Sequence, residues 1–240
     1  SDTDVRNESV AVTLSGATVA ESVVVTATVA DDDSQAIVTS EFANVLEGGT
    51  NQVAVRLNSE PTLSVDLSVT SSIPGKFTAL PATLTFTKDN WNVNQNVTLT
   101  GLQDADLDDH AGTVIFSVTS AQGNLTQVAA EGANNYTTFV TVGDDDSQTI
   151  LLQQIPAAPF VLSVQEQGPA SKFWVKLGHK PRANQDDVVL LTQSPAKLLL
   201  GKTSLTFTSM NWTDYQEVTV WGVADQDIAH EAVNVSLAIN

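Results

Sequence analysis

One block of residues occurs twice in this chain at a fixed interval, and the interval limits the fold more than any local pattern does. Leu84-Thr-Phe-Thr, Asn90-Trp91, Gln95 and Val97-Thr98 return as Leu205-Thr-Phe-Thr, Asn211-Trp212, Gln216 and Val218-Thr219, each 121 positions later. The pentapeptide Asp-Asp-Asp-Ser-Gln also occurs twice, at Asp31–Gln35 and at Asp144–Gln148. A period this long, with loops that vary in length between the landmarks, marks tandem modules. A chain of 240 residues has room for two modules of about 110 residues each.

Within the modules the pattern is that of strands. Val53–Leu57, Val65–Val69, Leu84–Phe86, Val97–Leu99, Val114–Val118 and Thr138–Val142 alternate apolar with polar residues and are rich in Val and Thr. Gly48-Gly49, Pro61, Pro74-Gly75, Pro81, Asp89-Asn90 and Gly123-Asn124 punctuate them with turn chemistry. No stretch keeps a helical period for ten residues or more. Short strands at this spacing predict all-β, antiparallel sandwiches of about seven strands.

Charge and composition exclude several roles. Twenty-eight acidic residues stand against 10 basic ones, a net charge of −18. Phosphate binding needs clustered Lys and Arg, so nucleic acid is excluded as a partner, and anionic membrane surfaces are disfavoured. The acidic excess serves either solubility or a load of multivalent cations. Cysteine is absent, which rules out disulfides and thiolate metal sites. No run of about 18 apolar residues is present, so the sequence predicts no membrane insertion in this segment. The chain opens on Ser1-Asp-Thr-Asp4 and reads as part of something longer.

Alignment of the repeats puts the module boundaries inside the chain. Residues 34–146 form one complete unit. Residues 1–33 match only its final third, with Asp2-Thr-Asp4 over Asp104-Ala-Asp106 and Val10–Leu14 over Val114–Val118. Residues 147–240 match its front two-thirds and lack a closing strand. About 33 residues cannot bury a core alone, and a sandwich without its last strand exposes an unpaired edge. Two readings follow: continuation of the chain into adjacent modules, or head-to-tail self-assembly in which one copy's strand completes a neighbour. The junctions differ in length, 14 positions from Asp33 to Glu47 and 20 from Asp146 to Glu166, with Pro156 and Pro159 stiffening the second.

The ordered set Val45-Leu-Glu47-Gly48, Leu84-Thr-Phe86, Asn90-Trp91, Gln95-Asn-Val97-Thr98, Asp104-Ala-Asp106 and Asp144–Asp146 resembles the Calx-β module of exchanger regulatory domains. It is more similar still to the related repeats of microbial adhesins and surface filaments. The resemblance covers essentially the whole chain and implies immunoglobulin-like sandwiches with calcium at the module ends. By resemblance the ligands of the complete module are Glu47, Asp104, Asp106, Asp144, Asp145 and Asp146. Asp31, Asp32 and Asp33 with Asp2 and Asp4 make the preceding set, and Glu166, Asp225 and Asp227 the last. Calcium takes six to eight oxygens at about 2.3–2.6 Å, which carboxylates from separate loops supply. The alternative is solvated acidic turns that discourage edge pairing.

Two details bear on that site. An Asp triplet leaving a strand alternates in direction, so the chain must bend after Asp144 or one carboxylate must face solvent. Calcium-binding members carry a further acidic residue before the Leu-Thr-Phe strand, whereas this chain has Lys76 and Lys197 there.

Other motifs read as structural. An Asn-Trp pair at one fixed module position plugs a core or buttresses a turn, while Trp174 and Trp221 have no aromatic counterpart. His110, His179 and His230 lie in separate segments without a paired nucleophile, so no enzyme is expected. Six sequons, at Asn7, Asn96, Asn124, Asn135, Asn211 and Asn234, are candidate glycosylation sites. The function read from this set is a structural segment of a long extracellular fibre, stalk or filament. The alternatives are an adhesion module for a glycan or protein and a calcium-sensing regulatory domain.

Overall fold

The computed structural model describes residues 7–14, 23–30, 35–119, 135–153, 161–194, 196–226 and 230–240. It is all-β, and no helix occurs among these residues. The chain divides into two compact units. Residues 1–103 and 109–143 form the first, and residues 104–108 and 144–240 form the second.

The first unit contains a separate hairpin and a sandwich. The hairpin pairs β1 (Glu8–Leu14) with β2 (Val23–Val29). Its valines at 10, 12, 24, 25 and 29 are about half exposed, as expected where only two strands share a sheet. The sandwich strands are β3 (Ile37–Val38), β4 (Phe42–Leu46), β5 (Thr50–Leu57), β6 (Val65–Ser71), β7 (Phe77–Leu80), β8 (Thr83–Phe86), β9 (Gln95–Gly101), β10 (His110–Val118) and β11 (Asn135–Gly143). One sheet has the order β4-β11-β10-β6-β8 and the other β3-β5-β9-β7. Pairing is antiparallel except where β4 runs parallel to β11, with Phe42 opposite Phe139 and Val45 opposite Val142. β3 and β4 are one extended run that changes sheet over residues 39–41, so each edge gains a short strand.

Period-2 alternation builds the core. Val65, Leu67 and Val69 of β6 are buried and the residues between them are not. Val53, Val55 and Leu57 of β5 and Val97 and Leu99 of β9 do the same from the facing sheet. Phe77, Phe86 and Phe116 fill the space between the sheets with no exposed surface.

The second unit repeats most of this plan. Its strands are β12 (Ile150–Gln153), β13 (Ser171–Leu177), β14 (Asp187–Ser194), β15 (Leu198–Leu200), β16 (Ser204–Phe207), β17 (Gln216–Gly222) and β18 (Asn234–Ile239). They form sheets β12-β13-β17-β15 and β16-β14-β18 around Phe173, Val175, Leu177, Val189, Leu191, Leu205, Phe207, Val218 and Val220. β18 stands where β10 stands in the first unit, paired to β14 as β10 is to β6. Among the described residues nothing occupies the place of β11. Residues 161–165, the counterpart of β4, therefore form no strand, because the ladder that β4 makes is with β11.

The Asn-Trp landmark is a turn lock in both units. Asn90 Oδ1 accepts from Thr87 N–H at 2.6 Å, and Asn211 Oδ1 from Thr208 N–H at 2.7 Å. Gln95 Nε2 donates to Thr85 C=O at 2.7 Å, and Gln216 Nε2 to Thr206 C=O at 2.7 Å. Trp91 and Trp212 are half-buried against their own cores. Each Trp also accepts at its carbonyl from the last residue of a strand, Leu57 or Leu177. Short side-chain bonds to nearby backbone fix the turn into the next strand, which explains a repeated Asn-Trp without any ligand.

Candidate metal centre

The described carboxylates among those singled out in the sequence sit on the loops between strands. Asp2, Asp4, Asp31, Asp32, Asp33 and Asp227 lie outside the described residues. Glu47 belongs to the first unit, and Asp104, Asp106, Asp144, Asp145 and Asp146 to the second.

Glu47 follows β4 and is buried, with 4 % of its surface exposed. Backbone pairing holds it there. Its N–H donates to Gly143 C=O at 3.0 Å, and it forms a parallel bridge with Gly101. Gly48 has a φ of +64°, a backbone region in which Gly carries no Cβ penalty. It turns the chain so that Gly48 N–H donates to Gly101 C=O at 3.1 Å.

The aspartate loops make their own turns. Asp106 N–H donates to Asp104 Oδ1 at 2.9 Å, Asp108 N–H to Asp106 Oδ1 at 3.0 Å and Asp146 N–H to Asp144 Oδ1 at 2.7 Å. These are Asx turns, in which a carboxylate caps the backbone two residues on. The bend after Asp144 leaves Asp144 and Asp146 half-buried and Asp145 exposed. Asp146 Oδ2 is buried and has no hydrogen-bond partner, while its Oδ1 lies 3.6 Å from His179 Nε2. A buried carboxylate oxygen left so is costly unless something cationic or protic meets it. That chemistry fits a calcium ligand.

Part of the pentapeptide's recurrence has a different cause. Gln148 Nε2 donates to His179 C=O at 2.9 Å and to Asp187 Oδ2 at 2.7 Å, and Gln148 Oε1 accepts from His179 N–H at 3.0 Å. In the first copy Gln35 is fully buried and donates to Ser59 C=O at 3.0 Å. The glutamine thus clamps the chain just beyond β5 or β13 in each unit, a packing duty independent of any metal.

The last set, Glu166 and Asp225, comes together with two residues that the motif does not contain. Carboxylate oxygens of Glu166, Asp225 and Glu231 lie within 4.8 Å of one another. Lys197 Nζ sits among them, 2.8 Å from Asp225 Oδ2 and 2.9 Å from Glu231 Oε1. Hydrogen bonds to Asp225 and then to Glu231 hold the Lys197 ammonium well above the usual lysine range. Glu166 forms the bridge to Gly222 that Glu47 forms to Gly101. The repeat interval carried a signal for both additions. Lys197 stands 121 positions after Lys76, and Glu231 121 positions after His110.

The candidate glycosylation sites divide by environment. Asn7, Asn96 and Asn234 are exposed. Asn211 is half-buried and its side-chain oxygen is engaged in the turn lock. Asn124 and the side chain of Asn135 lie outside the described residues. An exposed apolar pair went unnoticed in the sequence: Phe42 and Phe139 stack with ring centroids 5.7 Å apart on the outer face of β4 and β11. Adjacent in a parallel ladder, they were 97 positions apart in the chain.

No family model matches the chain, and no curated protein matches it. Among solved structures it is similar to the E. coli chaperone DraB, at 5 % identity and a TM-score of 0.33, over 73 % of this chain and 86 % of that one. The YadV chaperone gives 8 % identity and a TM-score of 0.32, over 86 % and 93 %. The D00-D0 domain of intimin gives 10 % and 0.32, over 85 % and 98 %. Among the described residues no helix is long and apolar enough to cross a membrane.

Proposed function

We propose that this chain is a structural, non-catalytic segment of a long extracellular fibre, stalk or filament, built from tandem β-sandwich modules. The observation that carries this reading is the repetition of one set of locks at matched positions: Asn90 and Asn211, Gln95 and Gln216, Trp91 and Trp212. What is repeated is scaffold. In an array of like modules the natural outputs are length and stiffness.

Strand addition between modules is the second part of the proposal. It rests on an apolar groove of the second unit where, among the described residues, no strand takes the place of β11. Leu162 and Val164 on one side and Val235 and Leu237 on the other are half-buried, with Leu152, Phe173 and Val220 beneath, around a groove of about 210 Å³. In the first unit β11 fills the equivalent place, parallel to β4 and antiparallel to β10. A strand with the β11 pattern therefore completes this sheet. The test is a peptide of residues Tyr136–Asp146 added in trans. It should bind and raise the unfolding temperature read by Trp174, Trp212 and Trp221, whereas a scrambled peptide should not. Equal silence from both peptides sinks strand addition.

Calcium is the ion proposed for the acidic loops, on the strength of the orphaned Asp146 Oδ2. Binding at a hundred times the dissociation constant adds roughly 2.7 kcal/mol, a shift of well over five degrees for a domain of this size. Melting the chain in calcium and in chelator should show it. A difference below about one degree removes calcium from the shaft.

A further inference from the structure

The set Glu166, Asp225 and Glu231 does not fit a calcium ion as it stands, because a side chain of the same unit already holds the cationic position. We propose that Lys197 is the resident cation of this loop cluster, so that the end of the second unit is fastened without metal.

Three independent features converge on this assignment. The first is geometry. Lys197 Nζ meets two carboxylates from two different segments, Asp225 just after β17 and Glu231 just before β18, at 2.8 and 2.9 Å. Those lengths belong to charge-assisted hydrogen bonds. The third carboxylate, Glu166, is brought in by its bridge to Gly222, and its Oε2 accepts from Asp225 N–H at 3.4 Å. The ammonium therefore ties two loop segments to its own, and Glu166 joins the cluster through Asp225.

The second is charge. Three carboxylates whose oxygens approach within 4.8 Å repel one another strongly unless a positive charge lies between them. One ammonium on a four-carbon stem offers three donors and supplies that charge. The third is position. Lys197 is fastened by its own backbone, whose C=O accepts from Val223 N–H at 3.1 Å. Lys76 occupies the same backbone place in the first unit, accepting from Leu102 N–H at 2.9 Å. A lysine at this backbone place is therefore a repeated element of the module.

The assignment does not depend on the shaft reading, since it concerns one loop cluster within one unit. It makes an opposite forecast for two lysine replacements in the full chain. Lys197→Met removes the ammonium and keeps the stem, exposing a three-carboxylate site. Calorimetric titration with calcium should then find one more site per chain than in the unaltered protein, at the strength of weak extracellular modules, about 10⁻⁴–10⁻³ M. The same variant should melt lower than the unaltered chain in chelator and recover in calcium. Lys197→Arg should gain no site. Adding Glu231→Gln to Lys197→Met should abolish the gained site, which ties the ion to this cluster rather than to the Asp triplets. An unchanged calcium count in Lys197→Met overturns the proposal, and so does a variant that melts in chelator like the unaltered chain. Failure of the trans peptide would leave these outcomes untouched, so the two ideas fail separately.

Discussion

Replacing Phe86 by alanine should cost the first unit about 3–5 kcal/mol, the range for removing a fully buried phenylalanine. Phe86 ends the Leu-Thr-Phe run on β8, opposite Val65 of β6, and has no exposed surface. It shares its core with Phe77 and Phe116. β8 is an edge strand of four residues, so packing of Leu84 and Phe86, rather than hydrogen bonding on two sides, holds it in the sheet. Loss of the ring leaves a cavity that an edge strand anchored on both termini by turns cannot close. The loss is read by denaturant unfolding followed at Trp91, which is half-buried against the same core. Phe207→Ala is the matched experiment in the second unit, where Phe207 is equally buried and Trp212 packs on the core. Phe86→Leu, which keeps most of the volume, should lose less than half as much. A Phe86→Ala chain within about 1 kcal/mol of the unaltered one would mean that the Leu-Thr-Phe landmark is not a core strand.

The strands were legible in the sequence because a half-buried strand writes its burial as period-2 alternation. β5, β6, β9 and β10 fall on the runs that alternate, and Phe77, Phe86 and Phe116 lie where apolar positions of facing sheets converge. The turn role of Asn90 and Trp91 was legible for a related reason. The Asn90 side-chain bonds reach to Thr85 and Thr87, inside the motif itself. What the sequence left dark depends on pairing between distant segments. Nothing local says that β4 runs parallel to β11, or that Phe42 stacks on Phe139. Likewise Glu166, Lys197, Asp225 and Glu231 become neighbours only when the sandwich closes. The Asp-Asp-Asp-Ser-Gln repeat shows both sides. Its charge drew attention to the aspartates, while the burial of Gln35 and the clamp made by Gln148 account for a part of the repeat that charge cannot.

Gly101→Ala should be among the most damaging single-methyl changes in the chain, costing about 3 kcal/mol. Gly101 ends β9 and faces the backbone of Leu46 and Glu47, with which it forms a parallel bridge. A Cβ at this position would lie 2.2 Å from Leu46 O and 2.9 Å from Leu46 C. Both are main-chain atoms, so no rotamer change relieves the clash. The segment from Leu46 to Gly49 or the end of β9 has to move. Either movement breaks the bonds that join them, Gly48 N–H to Gly101 C=O at 3.1 Å and Gly101 N–H to Gly49 C=O at 3.0 Å. Overpacking of a tight site costs roughly 1–3 kcal/mol, and each backbone hydrogen bond lost adds about 1 kcal/mol. Gly222 is the matched position 121 residues on. There the nearest atom is Gln165 O at 2.8 Å, a milder conflict that a small shift of the exposed Gln165–Glu166 segment can absorb. Gly222→Ala should therefore cost about 1–2 kcal/mol. The ordering of the two variants is the diagnostic, because both add one methyl at equivalent strand ends and differ in how close the neighbouring backbone lies and how firmly it is held. Guanidinium unfolding of each, followed at Trp91 for Gly101→Ala and at the second unit's tryptophans for Gly222→Ala, measures it. Equal midpoints for Gly101→Ala and the unaltered chain would show that Glu47 is not held against β9 in solution.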